Sequence, residues 1–266
     1  MSELLNVFRL PNDDSRKTVA VALALCLVCS LVVSGAAVSL RPLQERNASL
    51  ALKREILKVA GLYQPGEDIE QAFANLDARL VDLETGNYVT DMDAASYDPR
   101  KAAADPELGI ALSAAQDLAR IRHRARIMPV YLLHEHGRLK SVILPVHGYG
   151  LWSTLYGLLA LAPDGRTVRD ISFYEQLETA GLGGEVANPK WQASWVGKQV
   201  ADADGTPRFA LVKGSVDANS PQAVHQVDGL SGATLTSNGV TNLMHFWMGE
   251  MGYGPFLARI RGEAKQ

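Results

Sequence analysis

Asp228-Gly229-Leu230-Ser231-Gly232-Ala233-Thr234, continued by Leu235, Thr236, Ser237, Asn238 and Gly239, gathers hydroxyls, small residues and one carboxylate just before a stretch that reads as helical. The amides of a first helical turn lack intrahelical partners and carry partial positive charge, which suits a phosphate. Gly232 and Ala233 leave room for a bulky group to approach the backbone, and Thr234 offers a hydroxyl beside such a phosphate. An ordinary helix N-cap draws on the same residue types, since Ser and Thr are favoured there. On residue types alone both readings stand.

Two further glycine-rich segments lie upstream. Gly148-Tyr149-Gly150-Leu151-Trp152-Ser153 fails the G-x-G-x-x-G pattern because Ser153 takes the last position, so a dinucleotide site is not indicated. Glu178-Thr179-Ala180-Gly181-Leu182-Gly183-Gly184 would let backbone groups approach a flat ligand, with Leu182 against a ring face. Tight turns between strands account for both segments equally well.

Other reactive residues are less promising. Cys26 and Cys29 have C-x-x-C spacing but lie inside an apolar run, and two thiols are too few for a zinc or iron–sulfur site. They read as small buried apolar residues. His134 and His136 lack a third ligand at an obvious spacing, so no metal site is expected. Arg120, Arg122, Arg124 and Arg126, with His123 among them, read as the solvated end of a helix, where cations are favoured; a binding surface is the alternative.

The elements that must position these residues follow from periodicity. Residues 18–40 carry no charge and at helical rise span roughly 34 Å, enough for a hydrocarbon core of about 30 Å. Ser34-Gly35-Ala36 resembles a signal cleavage site, but signal h-regions run only about 7–15 residues, so a retained anchor is expected. Basic residues flank both ends, and the positive-inside rule does not orient the span. Helices are expected over 43–62, 68–80 (stripe Ile69, Phe73, Leu76, Leu80) and 106–126. From Pro129 the pattern turns to strands: 130–133 and 139–146 around His136-Gly137-Arg138, 154–161 and 167–174 around Pro163-Asp164-Gly165, and 209–216. A final helix starts near Thr236. The fold class is therefore an anchor followed by one α+β domain with an antiparallel sheet and flanking helices. The balance of 26 basic and 29 acidic residues, net −3, argues against nucleic acid.

The run ending at Thr234 matches the flavinylation pattern Asp-x-x-(Ser/Thr)-Gly-Ala-(Thr/Ser). With both upstream glycine segments in order, the chain resembles the covalent-FMN-binding family that includes the C-subunit of bacterial Na+-translocating NADH:quinone oxidoreductases. The resemblance implies FMN joined to Thr234 by a phosphoester. Around it would stand Ser231, Gly232, Ala233, Leu235, Thr236, Ser237, Tyr149, Leu151, Trp152, Glu178, Thr179, Leu182, Gly183, Gly184 and Lys213, with Trp191 near or behind this wall. Ala180 departs from the proline usual there, which loosens the turn. Asp228 is expected either to help a flavin transferase recognise the site or to cap the turn.

In the same terms, residues 1–17 would be a short cytoplasmic segment, 18–40 the transmembrane helix, 41–128 a helical connector with flanking helices, and 129–266 an FMN-binding domain in the periplasm. The implied role is an electron carrier within a bacterial inner-membrane complex, without catalysis of its own. It would pass single electrons between an iron–sulfur centre and another flavin in partner subunits of an NADH:ubiquinone reductase that moves Na+. Alternatives are the homologous flavin-bearing component of the Rnf complex, which shares the motif, and a membrane-anchored sensor or structural component.

Overall fold

The computed structural model describes residue 11 and residues 14–263. Helix α1 runs unbroken from Ser15 to Val59, with Pro42 inside it, so the apolar stretch and the following segment are one element. It is long and apolar enough to cross a membrane, and its most apolar window has no residue buried in protein. The chain divides into two compact units, residues 1–52 and 53–266.

The second unit is built on a six-stranded antiparallel sheet in the order β2-β1-β5-β6-β7-β8. Its strands are β1 (Asp77–Asp82), β2 (Tyr88–Val89), β5 (Ile127–Glu135), β6 (Arg138–Tyr149), β7 (Thr154–Leu161) and β8 (Val168–Glu175). The β5–β6 hairpin turns where expected: His136 and Gly137 take φ of 52° and 74°, the left-handed pair a two-residue hairpin needs. Side chains alternate across β6. Val142, Leu144 and Val146 join the main core with Val240, Leu243, Met244 and Trp247 of helix α5 (Thr234–Met248) and Phe256 and Ile260 of helix α6 (Gly254–Glu263). On the opposite face Ile143 and Leu158 are buried outside that cluster. There Ser172 of β8 donates to Glu55 at 3.3 Å, and Phe73 meets Tyr131 edge-on at 5.7 Å.

Several expected elements are different. The helix over 68–80 shortens to α2 (Ile69–Phe73), capped by the Asp68 carboxylate, which takes the amides of Glu70 and Gln71. Leu80 belongs instead to β1, where Leu80, Val81 and Asp82 are buried in succession against β5. The helix over 106–126 is absent. A short helix, α3 (Pro99–Ala104), precedes it, and the region holds turns and two paired strands, β3 (Gly109–Ala111) and β4 (His123–Ala125). Arg120 and Arg122 have φ of 55° and 66°, which a right-handed helix cannot accommodate. Their run is no helix end, and Arg124 is buried, its Nη1 donating to the Ala125 carbonyl at 3.1 Å. Residues 41–128 are thus only partly helical, and the sheet starts at Asp77 rather than Pro129. The strand over 209–216 contracts to β9 (Ala210–Val212), parallel to β10 (Gln226–Asp228), and helix α5 starts at Thr234 rather than Thr236.

Two prolines interrupt the sheet. Tyr131 pairs with Ile143, and that register continued sets Pro129 opposite Pro145. Neither has an amide to donate, so the β5–β6 ladder stops. Beyond it, the Pro145 and His147 carbonyls accept from Tyr253 Oη (2.8 Å) and Trp247 Nε1 (2.6 Å), and the Tyr149 amide donates to the Ala119 carbonyl (2.8 Å). Side chains from the helical layer and a loop replace the missing strand pairing.

His147 sits at this opening, stacked on Tyr156 at 5.4 Å. Burial, and then the charge of Arg100, lower its pKa from 6.5 to about 4. The unfolded chain takes up a proton that the folded chain refuses, so stability falls as pH drops from about 6.5 towards 4, by about 3 kcal/mol in total. Urea unfolding at pH 7 and pH 5 is expected to reveal this loss, and His147→Gln to remove most of the difference between them.

Candidate functional site

The first turn of α5 sorts its hydroxyls. Thr236 is fully buried and Ser237 nearly so, whereas Thr234 and Ser231 are exposed. Ser237 Oγ accepts the Leu230 amide at 3.0 Å and thereby folds the preceding turn onto its own helix. Gly232, at φ 70°, makes the left-handed step within that turn. The N-cap is Ala233, which offers no capping side chain. The helix start that carries Thr234 is therefore left open to an anion.

Glu178 ties this turn to the two upstream glycine segments. Its Oε1 accepts the amides of Leu151 (3.1 Å), Trp152 (2.9 Å) and Ser153 (3.1 Å), and its Oε2 accepts Thr236 Oγ1 at 2.7 Å. Burial works to raise the pKa of this carboxyl, but the Thr236 hydroxyl and the three amides outweigh it and hold it below the ordinary value. Glycine is required around the carboxylate. A Cβ on Gly150 would lie 2.7 Å from Oε1, and one on Gly183 would lie 2.6 Å from Thr236 Oγ1 and 2.7 Å from Oε2. The loop after Glu178 turns back on itself, the Thr179 carbonyl accepting the amides of Leu182 and Gly184. Leu182 then packs so close to Gly232 that a Cβ there would be 2.9 Å from it.

Beside Thr234 opens a cavity of about 650 Å³ lined by Lys213, Asp228, Ser231, Gly232, Ser237 and Asn238 among others. Asp228 takes the Val216 amide on Oδ1 at 2.8 Å, bracing the loop that carries Lys213, and its carbonyl accepts Nε1 of Trp191, in helix α4 (Pro189–Ala193), at 2.9 Å. Trp152, Leu182 and Leu235 are exposed apolar side chains on the segments that Glu178 gathers. The Tyr149 hydroxyl donates to the Trp152 carbonyl at 3.3 Å. Two residues that the sequence reading misses also belong here, Ser153 and Leu177. The Ser153 hydroxyl accepts the Leu177 amide at 2.8 Å, and Leu177 is 82% exposed beside the site. No local pattern marks either residue. These parts fit FMN: an open helix start, a lysine and a free hydroxyl for the phosphate, and glycines and apolar side chains for the ring.

Similarity to known proteins follows the same segments. The FMN-binding domain family matches residues 150–249, from the turn held by Glu178 to the end of α5, which makes this an FMN-binding domain. Across the whole chain, the Na(+)-translocating NADH-quinone reductase C-subunit of Pseudomonas aeruginosa is 52% identical over 257 residues, covering 95% of this chain and 98% of that one. The corresponding Vibrio vulnificus protein is 50% identical over 251 residues, covering 94% and 97%. The crystal structure of Shewanella oneidensis NqrC superposes with a TM-score of 0.72 at 35% identity, covering 79% of this chain and 96% of that one. The chain belongs to the NqrC family, the C-subunits of Na+-translocating NADH-quinone reductases, and is thus a component of a multi-subunit oxidoreductase.

Glu178→Ala would leave three amides and a buried hydroxyl without an acceptor, at a cost of about 3 kcal/mol. Glu178→Gln keeps one carbonyl oxygen and is expected to cost less. Urea unfolding followed by tryptophan fluorescence measures both.

Proposed function

We propose that FMN is attached to Thr234 through a phosphoester and that the chain is a membrane-anchored one-electron relay of a Na+-translocating NADH:ubiquinone reductase. The observation that carries this reading is the exposed Thr234 hydroxyl at an uncapped helix start, facing a cavity that Lys213 also lines. Covalently held FMN supplies a ring that takes up and gives off electrons singly. The chain's own residues do the rest. Lys213 and the first-turn amides of α5 balance the phosphate charge, while Ser231, Asn238 and Ser237 line its cavity. Gly232 and Ala233 keep the backbone low beside the acceptor. Leu151, Trp152, Leu182 and Leu235, with the backbone of Thr179, Gly183 and Gly184, bound the ring and limit water. Thr236 and Glu178 act behind this wall by fixing its parts to each other.

Attachment fits a domain outside the cytoplasm, where a dissociated cofactor would be lost. In this reading residues 18–40 cross the inner membrane, the amino-terminal segment stays in the cytoplasm and residues 129–266 lie in the periplasm. A flavin transferase would load the site, meeting exposed Asp228 at the cavity rim. Electrons would arrive from an iron–sulfur centre and leave to a flavin of partner subunits. The extent and identity of the matches to the quinone-reductase proteins favour this complex over the Rnf complex.

Mass analysis of denatured tryptic peptides tests the attachment, using protein from cells that contain a flavin transferase. The peptide with Thr234 is expected to carry one FMN less water. Thr234→Ala should lose that mass while the domain stays folded. An unmodified wild-type peptide from such cells would overturn the assignment.

A further inference from the structure

A second cavity, of about 910 Å³, lies where the β5–β6 ladder ends and reaches the 148–153 segment at Tyr149. It is a built feature. The facing prolines open the sheet, and the carbonyls so freed are satisfied by Trp247 and Tyr253, so the gap costs no unpaired acceptor there.

Its rim is formed by residues 117–123. Arg120 and Arg122 both adopt left-handed backbone conformations, which glycine would take without penalty. Asp117 locks this geometry with both carboxylate oxygens, Oδ1 taking the Ile121 amide at 2.7 Å and Oδ2 the Arg122 amide at 2.8 Å. The two strained positions therefore hold long cations where glycine would fold more easily. The Arg120 guanidinium lies 5.0 Å from the Tyr149 ring centre, and the Arg122 side chain has no hydrogen bond or ion pair among the described residues. Arg100, also on the wall, is already matched: it pairs with Glu175 and stacks on Tyr156 at 3.6 Å. The floor is different in kind. Over the buried Met128 and Val146, partly exposed Pro99, Ala103 and Ile121 give the lining its apolar surface, together with the ring of His147.

We propose that this cleft binds an organic anion with a ring-sized apolar body, its carboxylate or sulfonate held by Arg120 and Arg122 and its body against Pro99, Ala103 and Ile121. Charge without an acidic partner at the rim and the apolar lining match such an amphiphile better than bare phosphate, which would leave that lining uncovered. The proposal is independent of the flavin assignment.

The test uses full-length, flavin-loaded protein in lipid nanodiscs, titrated calorimetrically with 2-naphthoate against empty nanodiscs. Saturable one-site binding is expected. The double variant Arg120→Gly/Arg122→Gly should weaken it by at least about tenfold while the melting temperature holds or rises, because glycine relieves the backbone. Ala104→Trp, at an exposed position on the cleft wall, should abolish binding with both arginines intact. Absence of saturable binding to the wild type overturns the proposal, as does affinity within about twofold of wild type in the Ala104→Trp variant. Inorganic phosphate displacing naphthoate at equal concentration overturns the amphiphile.

Discussion

One buried carboxylate organises the end of this domain that carries Thr234. Glu178 accepts four hydrogen bonds from two segments distant in sequence, the 151–153 turn and the first turn of α5. A carboxylate out of water is costly unless its lone pairs are occupied, and here they are. Bonds to an ionised acceptor are individually worth more than neutral ones, so the three segments form a unit whose parts do not drift independently. Glycines at 150 and 183 are the condition for this arrangement, since any side chain would displace the oxygens they border.

Helix α5 carries the consequence through the domain. Its first residue is Thr234, and fourteen positions later comes its last, Met248, directly after Trp247, whose indole caps the His147 carbonyl. Between them, Gly239 allows the helix to lie against the Tyr149 carbonyl, where a Cβ would be only 2.5 Å away. The helix is thus registered against β6 at its middle, at its end through Trp247, and at its start through Thr236 and Glu178. The interruption at Pro129 and Pro145 belongs to this scheme: without carbonyls left open on β6, Trp247 would have no acceptor there. The position of the Thr234 hydroxyl is set by a long rigid element fixed at three points, although the turn before it is exposed.

The site is more legible in the sequence than the scaffold around it. Backbone freedom and small size leave their mark directly as residue types, so Gly232, Gly183 and the hydroxyls beside them are visible as a possible ligand site. The β5–β6 and β7–β8 hairpins are visible for a similar reason, because turn chemistry is local. The larger failures lie between residues 68 and 126. The spacing of Ile69, Phe73, Leu76 and Leu80 fits a helix, but Asp68 caps only five helical residues before Leu80 is claimed by pairing with β5. Such pairing is a tertiary effect that no local period reveals. Left-handed conformations at Arg120 and Arg122 are equally hidden, since arginine gives no hint of them and Asp117 enforces them from outside. For Thr236 and Ser237 the residue type is informative and the direction is not: both hydroxyls turn inward.

That inward turn separates two tasks that one motif performs. A relay cofactor must be held firmly yet remain close enough to the surface to exchange electrons with neighbours. Buried Thr236 and Ser237 supply the firmness by bonding to Glu178 and to the Leu230 amide, respectively. Exposed Ser231 and Thr234, with Trp152, Leu177, Leu182 and Leu235 around them, leave an apolar, accessible face. Two outward hydroxyls followed by two inward ones therefore achieve both requirements. A motif with only outward hydroxyls would present them on a looser frame. One with only inward hydroxyls would be a stable helix start that presents no hydroxyl to the cavity.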